Sequence, residues 1–175
     1  LLLFQVSRLP ARASDDGRLI TLEDQDRALW NKDMIFDGFQ HLEAAKSSDE
    51  LTRYHLEAGI ASMHAQAPTW EQTDWANISR LYELLNAQAP SLSVLVYWAV
   101  SLMLKGDLQG AEDTLQIAGE QAGAQKFPAF HLATAKLAEL RDDSESARTA
   151  RERAKACQVS APVAEFIERE LGALD

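Results

Sequence analysis

Only one cysteine, five prolines and eight glycines occur in 175 residues. The lone thiol, Cys157, has no partner for an internal disulfide, which excludes a disulfide-stapled scaffold and fits a reducing compartment. It falls at the end of an alanine-rich stretch with no histidine near it in sequence, so it reads as a buried or inert thiol. Scarce proline and glycine, set against a hydrophobic share of 46%, exclude a disordered linker and fit a folded chain able to bury one sizeable core. Bases are also short: 17 lysines and arginines against 27 acids leave a net charge of −10. They are spread along the chain, and a surface of that sign repels phosphate backbones, which argues against free-standing nucleic-acid binding.

No run approaches the roughly 18 to 20 apolar residues of a membrane span. The longest, "LSVLVYWAVSLML" from Leu92 to Leu104, is 13 residues and reads as a central helix buried on all sides. The opening "LLLFQVSRLPARAS" lacks the flanks of a secretion signal. Without an initiator Met or a capping residue, it reads as the last turns of a helix belonging to something upstream. No G-x-S-x-G, phosphate loop, dinucleotide fingerprint, paired C-x-x-C, D-x-D-x-D-G loop or E-x-x-H helix is present. With no such signature the chain is read as non-enzymatic, with no cofactor and no metal.

What is present is helical periodicity. Trp30, Met34, Gly38 and Leu42 recur every four residues, with Ile35, Phe39 and Ala45 beside them, which predicts an amphipathic helix from about Asp24 to Ala45. Ser48 or Asp49 is the expected cap of the next helix, Leu51 to Ala67. That helix carries two stripes, Leu56, Ile60, Met63 and Ala67 on one and Tyr54, Ala58, Ala61 and Ala65 on the other, the pattern of a helix between two neighbours. Thr73 is the expected cap of a third helix striped by Trp75, Ile78, Tyr82 and Leu85, with Pro90 beyond its end. "KGD", Lys105 to Asp107, closes the Leu92 helix and opens another through Leu108, Ala111, Leu115 and Ala118. Three more run from about Pro128 to Leu140, Ser144 to Cys157 and Ala161 to Leu171, with Pro128 in a first turn and Ser160 as N-cap.

The expected fold class is all-α, an array of about seven to eight antiparallel helices in a single domain. Residues 1–13 end an upstream helix, 14–23 form a turn and extended arm, 24–90 hold the first helices and 91–175 the hairpins. An offset of 36 residues sets Ala111 on Ala147, Ala99 on Ala135, Lys105 on Arg141, Asp107 on Asp143 and Ala118 on Ala154. Small residues at such spacings let helices approach closely, the logic of tetratricopeptide arrays, whose period is near 34. The match is a degraded one, with Ala99 and Ala135 in place of the small glycine and Gly123 and Val159 where a proline would stand. The arm "ASDDGRLITL" turns at Asp16-Gly17-Arg18, glycine supplying a positive φ, and is expected to be buried through Leu19 or Leu22.

The densest charge lies in "TLEDQDRALW", Thr21 to Trp30. Glu23, Asp24 and Asp26 would need a histidine or a further acid to hold a metal. Their simpler role is capping: Thr21 and Asp24 have capping-box spacing, and acids favour the positive end of a helix dipole. His41, His55, His64 and His131 are scattered, with His55 and His64 nine apart and out of ligand register. Tyr97 and Trp98 read as packing residues of the buried helix.

"RLPARASDDGRLITLEDQDRALWN", "YHLEAGIASMHAQAPTWEQTDWANISRLYELL" and "APSLSVLVYWAVSL" resemble the carboxy-terminal extension of a family of bacterial extracytoplasmic-function RNA polymerase sigma factors. The resemblance covers nearly the whole chain, and its most specific part is "L-x-x-L-E-D-Q-D-R-x-x-W", Leu19 to Trp30. The chain departs from the family at Tyr97-Trp98, where an Asn-Arg pair is usual. The resemblance implies a tetratricopeptide-like extension following sigma domains 2 and 4, which are absent from this chain. It implies a regulatory or structural role in cytoplasmic transcription initiation, through contacts with the protein's own sigma domains and RNA polymerase core. Promoter DNA is reached only through the missing domains, and no membrane is involved. Asp16, Gly17, Arg18, Glu23, Asp24, Asp26, Arg27 and Trp30 are the expected contact surface, with Arg18 and Arg27 donating to carboxylates either internal or on the sigma domains. Two other readings of the residues are a free-standing tetratricopeptide-like adaptor binding a peptide in a groove and a metal- or small-molecule-binding enzyme.

Overall fold

The computed structural model describes residues 1–45 and 50–172, and the fold is all-α, with nine α-helices among those residues. No strand occurs among them; the extended arm contributes one antiparallel bridge, Ala13 to Leu19. The chain packs as two compact units, Leu1–Ala89 and Pro90–Asp175.

In the first unit, α1 (Leu2–Val6) and a 3-10 turn (Leu9–Ala11) precede the arm, a second 3-10 turn (Arg27–Leu29), α2 (Lys32–Ala45), α3 (Arg53–Gln66) and α4 (Trp75–Gln88). Phe4 is the anchor of this unit. It is 1% exposed, clusters with Ala11, Trp30, Ile35 and Ala61, and meets Phe39 edge-on with ring centroids 5.1 Å apart. Glycine at position 38 makes that possible, because a Cβ there would lie 2.8 Å from Phe4 Cε1. Asn31 N–H donates to Ser7 O at 2.9 Å, tying the end of α1 to the start of α2.

Helix α2 starts at Lys32 and not near Asp24. Two side chains close turns ahead of it and a third caps it. Thr21 Oγ1 donates to Asp24 Oδ2 at 2.6 Å, Asp26 Oδ1 accepts from Ala28 N–H at 2.8 Å, and Asn31 Oδ1 accepts from Met34 N–H at 3.0 Å. Short polar side chains of this kind satisfy local backbone in place of a helix ladder, so the Thr21–Asp24 box forms without a helix behind it. Ser48 and Asp49 lie outside the described residues. Helix α3 is capped instead at Thr52, whose N–H donates to His55 Nδ1 at 3.1 Å. Its stripes bury Leu56, Ile60 and Ala67 and also Ala58 and Ala61, but Tyr54 is 70% exposed, so the second stripe begins one turn later than expected. Asp74, not Thr73, caps α4, accepting from Asn77 N–H at 3.0 Å. Thr73 is buried and turns its hydroxyl back to Thr69 O. In the arm, Leu22 packs against the Phe4 cluster whereas Leu19 is exposed.

The second unit contains α5 (Leu92–Leu104), α6 (Leu108–Gly119), α7 (Pro128–Glu139), α8 (Ser144–Ala156) and α9 (Ala161–Gly172). Helix α5 is not buried on all sides: Ser93 and Tyr97 face solvent while Val94, Leu95, Val96, Ala99 and Leu102 are buried. A tyrosine can lay its ring on apolar neighbours and keep its hydroxyl wet, which is why a run of high hydropathy still leaves a stripe exposed. The 36-residue offset has direct structural counterparts. Ala99 and Ala135, Ala111 and Ala147, and Ala118 and Ala154 are all at most 1% exposed. Asp107 and Asp143 cap α6 and α8 through Gly110 N–H at 2.9 Å and Ser146 N–H at 3.0 Å. Gly106 and Asp142 both take the left-handed conformation, with φ of 92° and 59°. In each hairpin the N–H of the aspartate that caps the second helix returns to the first helix, Asp107 to Leu102 O and Asp143 to Ala138 O, both at 2.9 Å. That closure satisfies carbonyls the helix end would otherwise leave unpaired.

Candidate functional site

The eight residues expected to form one surface divide into an exposed rim and a buried clasp. The rim begins at the Asp16-Gly17-Arg18 turn, where Gly17 has φ 83° and its N–H donates to Ser14 O at 2.8 Å. Ser14 and Arg18 then fix the carboxylate of Asp16: the serine hydroxyl donates to it, and Arg18 Nε lies 2.7 Å from Oδ2. Those two donors, the hydroxyl first, hold the Asp16 carboxyl down to about 2. Glu23, Asp24 and Asp26 are also exposed. Asp24 and Asp26 are engaged locally by Thr21 and Ala28. No group of three or more His, Cys, Asp or Glu able to hold a metal occurs among the described residues.

Arg27 and Trp30 turn inward. Among the described residues Arg27 donates to carbonyls and not to a carboxylate: its Nη1 reaches the end of α3, at 2.6 Å from His64 O and 2.8 Å from Ala67 O. The last carbonyls of a helix lack partners and carry the negative end of its dipole, so a guanidinium is stabilised there without an acid. Its Cζ stands 4.7 Å from the centroid of Trp30, which is 2% exposed. Together these contacts clasp the stretch before α2 onto α3, across 37 to 40 residues of sequence.

Residues outside the eight expected for the contact surface complete the clasp. Arg8 Cζ also stands over Trp30, 5.8 Å from its centroid. Arg8 and Arg12 both donate to Gln5 Oε1, at 2.8 and 2.9 Å. Burial, then the charges of Arg12 and Arg27, push the Arg8 guanidinium down to about 10. His64 stacks on Trp70 at 6.4 Å and meets Trp75 edge-on at 5.3 Å. Burial, with Arg8 and Arg27 adding like charge, pushes its imidazole down to about 4, so it is neutral near pH 7. Gln5, Arg8 and Arg12 are spaced three and seven apart, a helical face readable in "QVSRLPAR"; the approach of His64, Trp70 and Trp75 has no local signal. Beside the α3–α4 connection lies a cleft of about 420 Å³ whose lining includes Met63, Gln66, Gln72 and Asp74.

Cys157 is half-buried at the end of α8, and burial pushes its thiol up, away from the thiolate a nucleophile needs. Tyr97 is exposed, whereas Trp98 is half-buried with its Nε1 inside. No helix among the described residues is long and apolar enough to cross a membrane.

Residues 1–46 match a family of unknown function (DUF6596). That stretch includes every rim residue and both Arg27 and Trp30. An uncharacterized protein of Rhizobium meliloti (strain 1021) is 33% identical over 171 residues, covering 98% of this chain. The chain spans only 40% of the length of that curated relative. No solved structure matches the chain.

Proposed function

We propose that this chain is the regulatory helical extension of a bacterial extracytoplasmic-function sigma factor, a non-enzymatic cytoplasmic element of transcription initiation that works by protein contact. The observation that carries this reading is the shape taken by Leu19 to Trp30, the stretch with the most specific resemblance to that family. Its inner residues, Arg27 and Trp30, fix the backbone against α3, while Glu23, Asp24 and Asp26, with the braced Asp16-Arg18 pair, present charge outward. Side chains already ordered lose little entropy on docking. The partners are the sigma domains of the same protein and RNA polymerase core. Two closely matched hairpins in 92–156 support the tetratricopeptide-like character that the family implies. Most of the Rhizobium meliloti relative lies outside the matched region, which leaves room in that protein for domains that read promoters.

The test is co-purification with the sigma domains produced as a separate chain, together with transcription by the intact protein. Arg18→Ala and Asp26→Ala are expected to weaken both. Absence of binding, with transcription unchanged in both variants, would overturn the proposal. A peptide-binding adaptor is the second reading, favoured by the cleft beside the α3–α4 connection. Binding of extended peptides there, lost on filling the cleft at Gln72, would favour it over the sigma-domain contact.

A further inference from the structure

Hydrogen-bond donors and acceptors are out of balance around Trp30. Arg8 and Arg12 share a single neutral acceptor, Gln5 Oε1. Arg27, over the same indole as Arg8, uses Nη1 on two carbonyls while its Nη2 is buried without an acceptor. Trp30 Nε1 is another buried donor with none. None of the three arginines is ion-paired with a carboxylate among the described residues. The exposed Glu71 acts on Arg27 through space. Arg12 and Arg27 meanwhile repel Arg8.

This is a costly arrangement in a chain with 27 acids and a net charge of −10. Guanidiniums brought together repel one another, and the half-buried Arg8 and Arg27 also lose hydration; elsewhere in this protein arginines are given acids: Arg53 has Glu57, Arg141 has Glu112 and Arg151 has Glu139. Arg8 and Arg12 have instead one neutral amide oxygen between them. Gln5 Oε1 brings the Nη2 of each arginine to 2.8 and 2.9 Å from a single oxygen, and guanidiniums that close can share the oxygens of one anionic group. Arg12 is exposed and Arg8 half-buried, so the pair is open at one end, and Arg27 adds its charge behind.

We propose that Arg8 and Arg12, backed by Arg27, form a binding site for an oxyanion, the carboxylate or phosphate group of a ligand. The proposal stands independently of the sigma-factor reading, since it rests on residues outside the charged rim. The chain as a whole carries a net charge of −10, so the site selects a compact anionic group and disfavours an extended polyanion.

Arginine side-chain Nε–Hε resonances of the whole chain, titrated with inorganic phosphate and separately with acetate against chloride at fixed ionic strength, test it. Saturable shifts of Arg8 and Arg12 are expected. Saturation by phosphate alone identifies a phosphate group, and saturation by both ions identifies a carboxylate-tolerant site. Arg12→Gln, at an exposed position, should bind about tenfold more weakly. Arg12→Lys should fall between the two, because it keeps charge but loses the fork. In chloride alone, Arg12→Gln should unfold at a higher temperature than the parent, through relief of repulsion, and that advantage should shrink in phosphate. Shifts that do not saturate, shifts equal to those in chloride, or an Arg12→Gln chain that binds as well as the parent would each overturn the proposal.

Discussion

Replacing Gly38 with alanine tests whether Phe4 docks α1 onto α2. In an exposed helix interior this change stabilises by about 0.5 to 1 kcal/mol, because glycine has more backbone freedom to lose. At Gly38 the added Cβ would lie 2.8, 3.0 and 3.1 Å from three ring carbons of Phe4. The ring has no easy retreat, since Phe4 is 1% exposed and edge-on to Phe39. Overpacking of a closed core costs about 1 to 3 kcal/mol, so a net destabilisation of about 1 to 2 kcal/mol is expected. The sign should reverse when the ring is removed. Phe4→Ala alone should cost about 3 to 5 kcal/mol, and adding Gly38→Ala to it should recover about 0.5 to 1 kcal/mol by helix propensity. Urea unfolding followed by tryptophan fluorescence suits the measurement, because Trp30, Trp70 and Trp75 all belong to the first unit. At about 1 to 3 kcal/mol per molar urea, the single substitution shifts the midpoint by about 0.5 to 1.5 M. Phe4→Leu, a milder second background, should give a smaller coupling of the same sign. If Gly38→Ala stabilises the chain equally with and without Phe4, the ring does not pack there and the account of α1 fails.

Arg27→Met removes charged hydrogen bonds to two carbonyls and should cost about 1 to 3 kcal/mol, with hydrogen exchange accelerating in the last turn of α3. Arg27→Lys should restore little of this, because one ammonium lacks the planar fork that also stacks on Trp30; full rescue by lysine would argue against the clasp. His64 makes stability depend on pH in a definite direction. Its imidazole is held from an ordinary 6.5 down to about 4 in the fold, so between those values the unfolded chain binds more protons. Stability from this group is therefore complete above pH 6.5 and lost as pH falls towards 4, by at most about 3 kcal/mol. His64→Gln should flatten that slope in thermal melts between pH 4 and 7, whereas an unchanged slope would assign the acid sensitivity to other groups.

Legibility in the sequence follows how local each signal is. The hairpins from Leu92 to Ala156 could be placed within a residue or two because their stops and starts sit together in "KGD" and "RDDS". In each, a left-handed residue and an aspartate cap act within a few positions of the alanines they serve. The stretch from Thr21 to Asn31 failed locally because it offers three capping side chains in a row, Thr21, Asp26 and Asn31, any of which could open a helix. The choice was made by distant partners. Trp30 is seated in the Phe4 cluster and Arg27 on the α3 carbonyls, and the helix starts only at Lys32.

That competition explains why the crowded charge of "TLEDQDRALW" divides as it does. Asp24 and Asp26 are kept outside by the turns they close, while Arg27 is drawn inside by carbonyls that α3 exposes at its end. With Arg27 committed to carbonyls, its charge is not cancelled by a neighbouring acid, and it adds to those of Arg8 and Arg12. One clasp thus produces two surfaces of opposite sign close together in sequence, an acidic rim from Glu23 to Asp26 and an arginine pair on "QVSRLPAR". A partner able to use both must carry bases for the rim and an acid for the pair, which is a demand a protein surface can meet and a uniform polyanion cannot.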